Sequence, residues 1–412
     1  MNIPALQKKI EYILPFWFGL LFFLAQISTA LKSFPLIIVV ISVFFLPNVG
    51  QKFIQVLKTR WCKAALVLFS IVCLACFWGP APTALKLSTL KQYNKLLYLP
   101  VLAIGLSYTR NRIWAVKGFL GAMVLTAFLS ISAYLGLLQS IHYDNVFLNH
   151  IMTGYAMSFA AFLALFYALS AQGKSKIFYF SLFILFTFQV LFINLGRTGY
   201  LIYALMLGLF FLMYLPWKHC LLALIFLSGF LVVSYTFSPN IKTGLSEAVS
   251  GYRHYNHNKN TSVGYRMQFH SYAVELFKRH PWLGNGTSSF PVLFYLENPV
   301  PEFGRDIHEP HGIYWLVASE FGLVGLVALF WLFGSLLLEA LSLKSMRIPA
   351  LIFIGSFIVV NLTDSLLFYS GSGYLFILFA AFYLSEKVRT LSEKQSFNLQ
   401  TPLPQPSSGI PA

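Results

Sequence analysis

Apolar runs of about 20 residues recur along the whole sequence, and a run of that length crosses ~30 Å of hydrocarbon at ~1.5 Å per residue. Backbone polar groups in lipid have no water to bond, so they must be satisfied inside helices. An all-α integral membrane protein follows. We place about twelve transmembrane helices, at 13–31, 34–49, 63–79, 93–108, 114–138, 152–171, 177–195, 199–215, 219–237, 312–338, 349–368 and 372–385. The first begins after Lys8, Lys9 and Glu11 and has no small-residue cleavage site near its end, so it reads as a retained span. Charged residues make up only 10% of the chain, against roughly a quarter in soluble domains.

A net charge of +16 would suggest nucleic acid in a soluble protein. Here most basic residues sit in alternate short connections, as the positive-inside rule predicts, so membrane lipids and no nucleic acid are expected as partners. Lys8 and Lys9, Lys52 to Lys63, Arg110 to Lys117, Lys174 and Lys176, Lys218, Lys344 and Arg347, and Lys387 to Lys394 lie on one side. The opposite short loops hold only Lys32, Lys86, Lys91, Lys95 and Arg197. Both termini are therefore expected in the cytoplasm. The Arg197 turn and the one long polar stretch, 238–311, then share the outer face. The chain divides into helices over 1–237, this long loop over 238–311, three further helices over 312–390, and a Pro- and Ser-rich cytoplasmic tail over 391–412, expected to be disordered.

Outer-face chemistry must come mainly from that loop and the turns beside it. Arg197, Arg253, Arg266, Lys278, Arg279 and Arg305 lie there with eight of the 9 histidines, whereas no acid has a second acid two residues away. Arginines without paired carboxylates suit an anionic ligand such as phosphate better than a divalent cation, so no metal is expected. His308-Glu309-Pro310-His311 falls one residue short of a zinc-protease spacing, and Pro310 keeps both histidines off one helix. Cys73 and Cys76 lie inside an apolar run without nearby histidines, which argues against a metal or redox pair.

Arg197 sits in a Gly196-Arg197-Thr198-Gly199 turn between two apolar helices, where it either snorkels to headgroups or binds phosphate. Tyr265 to Arg279 reads as a helix ended by Pro281. Its face of Tyr265, Phe269, Tyr272 and Leu276 is expected on the membrane surface, with Arg266 and His270 on a neighbouring stripe. Its basic residues touch either headgroups or a ligand. His311, where the chain re-enters the bilayer, either caps the next helix or acts as a base. As a base it would be a neutral imidazole, its charged form disfavoured by surrounding arginines. Gly322 and Gly325 would let the following helix pack closely against a neighbour.

His311, nine residues after Gly312 and then Gly322-Leu-Val-Gly325 resemble the O-antigen ligase pattern, with Gly312 where that family carries a polar residue. Leu195-Gly-Arg197-Thr-Gly-Tyr200 is similar to the family's turn after its seventh span. Tyr265-Arg266, with Arg279-His-Pro-Trp-Leu-Gly-Asn-Gly286, is similar to its loop segment. His150 and Arg305 fall where relatives carry a histidine and a basic residue. The resemblance covers roughly residues 150 to 330. It implies a GT-C-like glycosyltransferase of the bacterial inner membrane with a periplasmic active site and no metal or cofactor. The implied donor is a glycan on undecaprenyl diphosphate, and the acceptor is a sugar hydroxyl of lipid A–core in lipopolysaccharide biosynthesis. His311 would be the general base, and Arg197, Arg266 and Arg305 would hold the diphosphate, with Arg279 and His150 as further substrate contacts.

An O-antigen polymerase or a protein O-oligosaccharyltransferase of the same superfamily would share these features. The His311 motif and the single late loop favour the ligase over the polymerase. A transporter or flippase would place charges and broken helices at midplane in both halves, whereas here the halves are unlike and the charges gather on one face.

Overall fold

A computed structural model describes residues 3–400, and every regular element among them is a helix. The chain opens with α1 (Ile3–Ile27), α2 (Ser33–Phe44), α3 (Val49–Leu57) and α4 (Arg60–Leu74). Next come α5 (Thr83–Tyr93), α6 (Lys95–Gly105) and α7 (Thr109–Tyr134). The middle holds α8 (His150–Ser170), α9 (Gly173–Phe188), α10 (Arg197–Tyr214) and α11 (Trp217–Phe237). The long polar stretch folds into α12 (Pro239–Arg253), α13 (Ser262–Arg279) and α14 (Ser289–Glu297), and α15 (Ile313–Leu341), α16 (Arg347–Val360) and α17 (Ser370–Gln400) complete the chain. The expected tail begins inside α17, and its residues 401–412 lie outside the described residues.

Each of the twelve expected spans overlaps one of these helices, but fewer are long enough to cross a bilayer alone. Among the described residues 8 helices pass on length and apolarity, or up to 9 if α2 and α3, bent by 105° to each other, form one broken span. The shortfall has a local cause. The expected 349–368 span stops at Val360 because Asn361, Thr363, Asp364 and Ser365 interrupt the apolar run. α6 likewise has only 11 residues, so it reaches roughly 16 Å.

Apolar burial against neighbours gains little in lipid, so close approach of small residues decides which helices pair. A Cβ on Gly118 of α7 would lie 2.0 Å from the Gly19 carbonyl of α1. Gly154 of α8 likewise meets Gly199 of α10, where Ser158 Oγ donates across the contact to the Gly199 carbonyl at 2.9 Å. α8 is apolar all round and 83% buried, so it is the central helix, whereas α11, 17% buried, faces outward.

α15 is broken at Gly322, whose φ of +61° a side chain would resist. The break frees backbone groups that lipid cannot satisfy. The Pro281–Gly286 turn supplies them: Asn285 N donates to Ser319 O at 3.1 Å and Gly286 N to Glu320 O at 2.8 Å. In return, Leu323 N donates to Pro281 O at 2.8 Å and Val324 N to Trp282 O at 3.2 Å. Gly322 thus makes the expected close contact, with a loop segment rather than another span. Gly325 makes room for Phe321 and Val317 of its own helix.

This docking also corrects the expected placement of α13. Its Phe269, Tyr272 and Leu276 are buried inside the protein, with Phe269 edge-on to Phe294 at 5.7 Å and to Phe303 at 4.8 Å. α14 and the residues after it cover the face that would otherwise lie on lipid.

Gly284, at φ +69°, has no room for a side chain, because a Cβ there would lie 2.3 Å from the Glu320 carbonyl carbon. Gly284→Ala should therefore cost about 2 kcal/mol or more, from strain at a positive φ and from the clash. Gly334→Ala, with nothing within 4 Å of the added carbon, should be neutral or slightly stabilising. Thermal unfolding in detergent checks both, and equal melting temperatures would contradict the docking.

Candidate active site

Three interruptions between helices bring His150, Arg197 and His311 together with Asp364. The first is the segment before α15. His311 has φ +58°, a conformation uncommon outside glycine and costing on the order of 1–3 kcal/mol. Its surroundings hold it there. The Glu309 carboxylate accepts from His311 N at 2.7 Å, and the Ser365 hydroxyl accepts from Gly312 N at 3.2 Å. His270 Nε2 donates to the His311 carbonyl at 3.0 Å, which fixes the proton of that ring on Nε2. Gly312 is explained by crowding. A Cβ there would meet the Trp315 ring at 2.9 Å and the Leu362 carbonyl at 3.2 Å.

The second interruption is the turn between α16 and α17, which carries Asp364, Ser365 and Tyr369. Lys95, 1% exposed, donates from Nζ to the carbonyls of Leu367 at 2.8 Å, Phe368 at 3.1 Å and Tyr369 at 2.8 Å. Asn361 adds bonds to Phe357 O at 2.7 Å and from Leu367 N at 3.1 Å. So held, Asp364 Oδ1 lies 3.0 Å from His311 Nδ1, and Glu309 Oε1 lies 3.2 Å from the same nitrogen. Tyr369 OH donates to Glu309 Oε1 at 2.8 Å, and Ser365 Oγ donates to Glu309 Oε2. With Nδ1–H facing two carboxylates, Nε2 is the ring nitrogen left free to accept a proton.

Acids distant in sequence therefore pair in space, and the electrostatic expectation for His311 reverses. Burial opposes its charged form, but the hydrogen bond to Asp364 and the charges of Glu309 and Asp364 outweigh burial and Arg266 together. Its pKa lies above the ordinary 6.5. The arginines do not dominate because Arg266 Nη2 is itself 3.5 Å from Asp364 Oδ2. His270 stays below the ordinary value, chiefly because it is buried.

The third interruption lies between α9 and α10. Asn194 Oδ1 accepts from Gly196 N at 2.6 Å, and its Nδ2 donates to His150 O at 3.1 Å, pinning the turn to the start of α8. Arg197 Nη2 donates to Ser262 Oγ of α13 at 2.7 Å, while its Nη1 is buried without a hydrogen-bond partner among the described residues. Arg197 and Arg266 are near enough to repel each other, and His150 lies within electrostatic reach of both and of Asp364. These residues and His311 form one cluster.

Arg279 and Arg305 are held differently. Arg279 grips Glu297 with two bonds of 2.6 and 2.8 Å and Glu275 with one of 2.6 Å. It also lines a groove of about 670 Å³ with Trp78 and Trp282. Arg305 is exposed and lies over the Tyr295 ring at 5.8 Å. Glu309, His311 and Asp364 could hold a cation by position, since their ligand atoms lie within 4.8 Å of one another. The Glu309 oxygens, however, already accept from Ser365, Tyr369 and backbone N–H groups, so the trio fits a proton-holding network better.

Residues 180–330 match the family model described as O-antigen ligase. This part of the chain is an O-antigen ligase family domain. Members of the O-antigen ligase family are glycosyltransferase-like ligases and polymerases. No curated protein matches the chain. The O-antigen ligase match takes in Arg197, Arg266, Glu309 and His311, whereas His150 and the Asp364 turn lie outside it. Nothing local in the sequence pairs Asp364 and Glu309 with His311. One signal was available for Asp364, because a carboxylate inside an expected span marks a functional site by default.

Because the folded pKa of His311 is raised, this contact stabilises the fold fully below about pH 6.5 and fades as pH climbs through the raised value. Asp364→Asn should bring the His311 pKa down and flatten that dependence. Carbon-13 histidine resonances titrated in detergent measure it, and a pKa equal to wild type would remove Asp364 from the network.

Proposed function

We propose that this protein is an O-antigen ligase, transferring a glycan from undecaprenyl diphosphate to a sugar hydroxyl of lipid A–core without a metal or cofactor. The observation that carries this reading is the His311 imidazole, held at Nδ1 by two carboxylates beside Arg266 and near Arg197, whose Nη1 has no hydrogen-bond partner among the described residues. In the reaction the acceptor oxygen attacks the anomeric carbon of the donor sugar while its proton passes to His311 Nε2. Asp364 and Glu309 stabilise the imidazolium, as a buried carboxylate does for other histidine bases. The bond from the anomeric carbon to the diphosphate oxygen breaks, and negative charge grows on the departing undecaprenyl diphosphate.

Arg266 and Arg197 meet that charge, and Arg305 and His150 lie at the edge of the same reading. A buried guanidinium with an unfilled donor is suited to phosphate oxygens. Arg279 already has two carboxylates, so in this reading it ties α13 to α14. The basic residues around Lys8, Lys52 to Lys63, Arg110 to Lys117 and Lys344 support cytoplasmic termini, with His311 on the periplasmic side of a bacterial inner membrane.

His311→Ala should leave the protein in the membrane but abolish ladder-like O-antigen on lipopolysaccharide gels, while polyprenyl-linked polymer accumulates. Arg266→Ala and Arg197→Ala should each cut transfer by about 10²-fold, the size expected for losing one charge-stabilising donor. Normal ladders in the His311 variant would refute the mechanism. Loss of polymer itself, with single repeats still attached to core, would instead identify a polymerase.

A further inference from the structure

At the end of the bundle away from His311, the walls of α7, α9 and α17 leave a cavity of about 710 Å³. It lies at the start of α7 and beside Met346, which follows the far end of α15, so it belongs to the opposite membrane leaflet. Its lining is mostly apolar, including Val116, Leu120 and Leu182. Its flanks Ile113 and Phe178 are exposed, as side chains facing hydrocarbon would be.

Two cations break that lining. Arg112 is only 8% exposed, packs its guanidinium 4.6 Å over the Phe382 ring, and keeps Nη2 buried without a hydrogen-bond partner among the described residues. Lys117, one helical turn and a half further along α7, lines the same cavity. The nearby carboxylate of Glu386 is engaged elsewhere, accepting from the backbone N–H groups of Lys344, Ser345 and Met346. A buried guanidinium with an empty donor is costly until an acceptor meets it. The first turn of α7 adds the positive end of a helix dipole at the same place.

We propose that this groove binds an anionic glycerophospholipid of the leaflet opposite His311. Arg112 and Lys117 hold its phosphate, and its acyl chains lie along the apolar wall between α7 and α9. Basic pockets between membrane helices on the cytoplasmic side are suited to such headgroups. The volume falls within the roughly 300–1,000 Å³ of specific small-molecule cavities. This inference rests on the membrane reading of α7 and α9 and is independent of the reaction assigned to His311.

Full-length protein in neutral detergent, titrated with phosphatidylglycerol or phosphatidylcholine and followed by native mass spectrometry, tests it. Phosphatidylglycerol should be retained at least tenfold more tightly than phosphatidylcholine. Arg112→Met and Lys117→Met should each weaken that retention several-fold, while His311→Ala leaves it unchanged. Equal retention of the two lipids would overturn the proposal, as would displacement by inorganic phosphate at equal concentration. Should Arg112→Met fail to fold, Lys117→Met decides, and undiminished retention there would overturn it equally.

Discussion

Hydrocarbon offers no hydrogen bonds, so wherever a helix of this protein is interrupted another part of the chain must supply them. The structure depends on three such interruptions. The break at Gly322 is filled by the Pro281–Gly286 turn, and the gap between α16 and α17 by Lys95 and Asn361. The turn between α9 and α10 is held by Asn194 against the start of α8. Asp364 and Arg197 each sit at one of them, and His311, just before α15, is bonded to the Asp364 turn. The bonds that make irregular backbone tolerable in a membrane also fix the chemical groups in position.

The charge balance of the cluster follows from that placement. Taken from the sequence, His311 is surrounded by arginine. Placed in the fold, its nearest charges are the carboxylates of Asp364 and Glu309, with Arg266 behind Asp364. A histidine so held is a stronger base than one among arginines alone, and its orientation is set through Nδ1. In the proposed reaction the arginines are left with the anion instead, most clearly Arg197, whose Nη1 has no hydrogen-bond partner among the described residues. Under that proposal, proton transfer and charge binding fall to neighbouring but separate groups.

Cations at the other end of the bundle follow the same logic with a different outcome. Arg112 is buried among apolar side chains with no carboxylate bonded to it among the described residues, so its environment calls for an anion carrying hydrocarbon. The basic residues expected to orient the chain in a membrane also include one pair, Arg112 and Lys117, that lines a groove.

Periodicity and apolar length are local properties, and so the sequence by itself determined the all-helical membrane architecture, the places of the long apolar helices and the likeness carried by Arg197, Arg266 and His311, but not the short helices α3, α5, α12 and α14. It also marked Gly322 as a point of close contact. The tertiary structure decided which helices stop short, where the apolar face of α13 goes, and what surrounds His311. Asp364 lies 53 residues from His311 in the chain, and Lys95, which holds the Asp364 turn, is 272 residues from Leu367. No local pattern encodes such pairings, because they arise from backbone groups left open at one helix break and donors that only the packed bundle brings within reach.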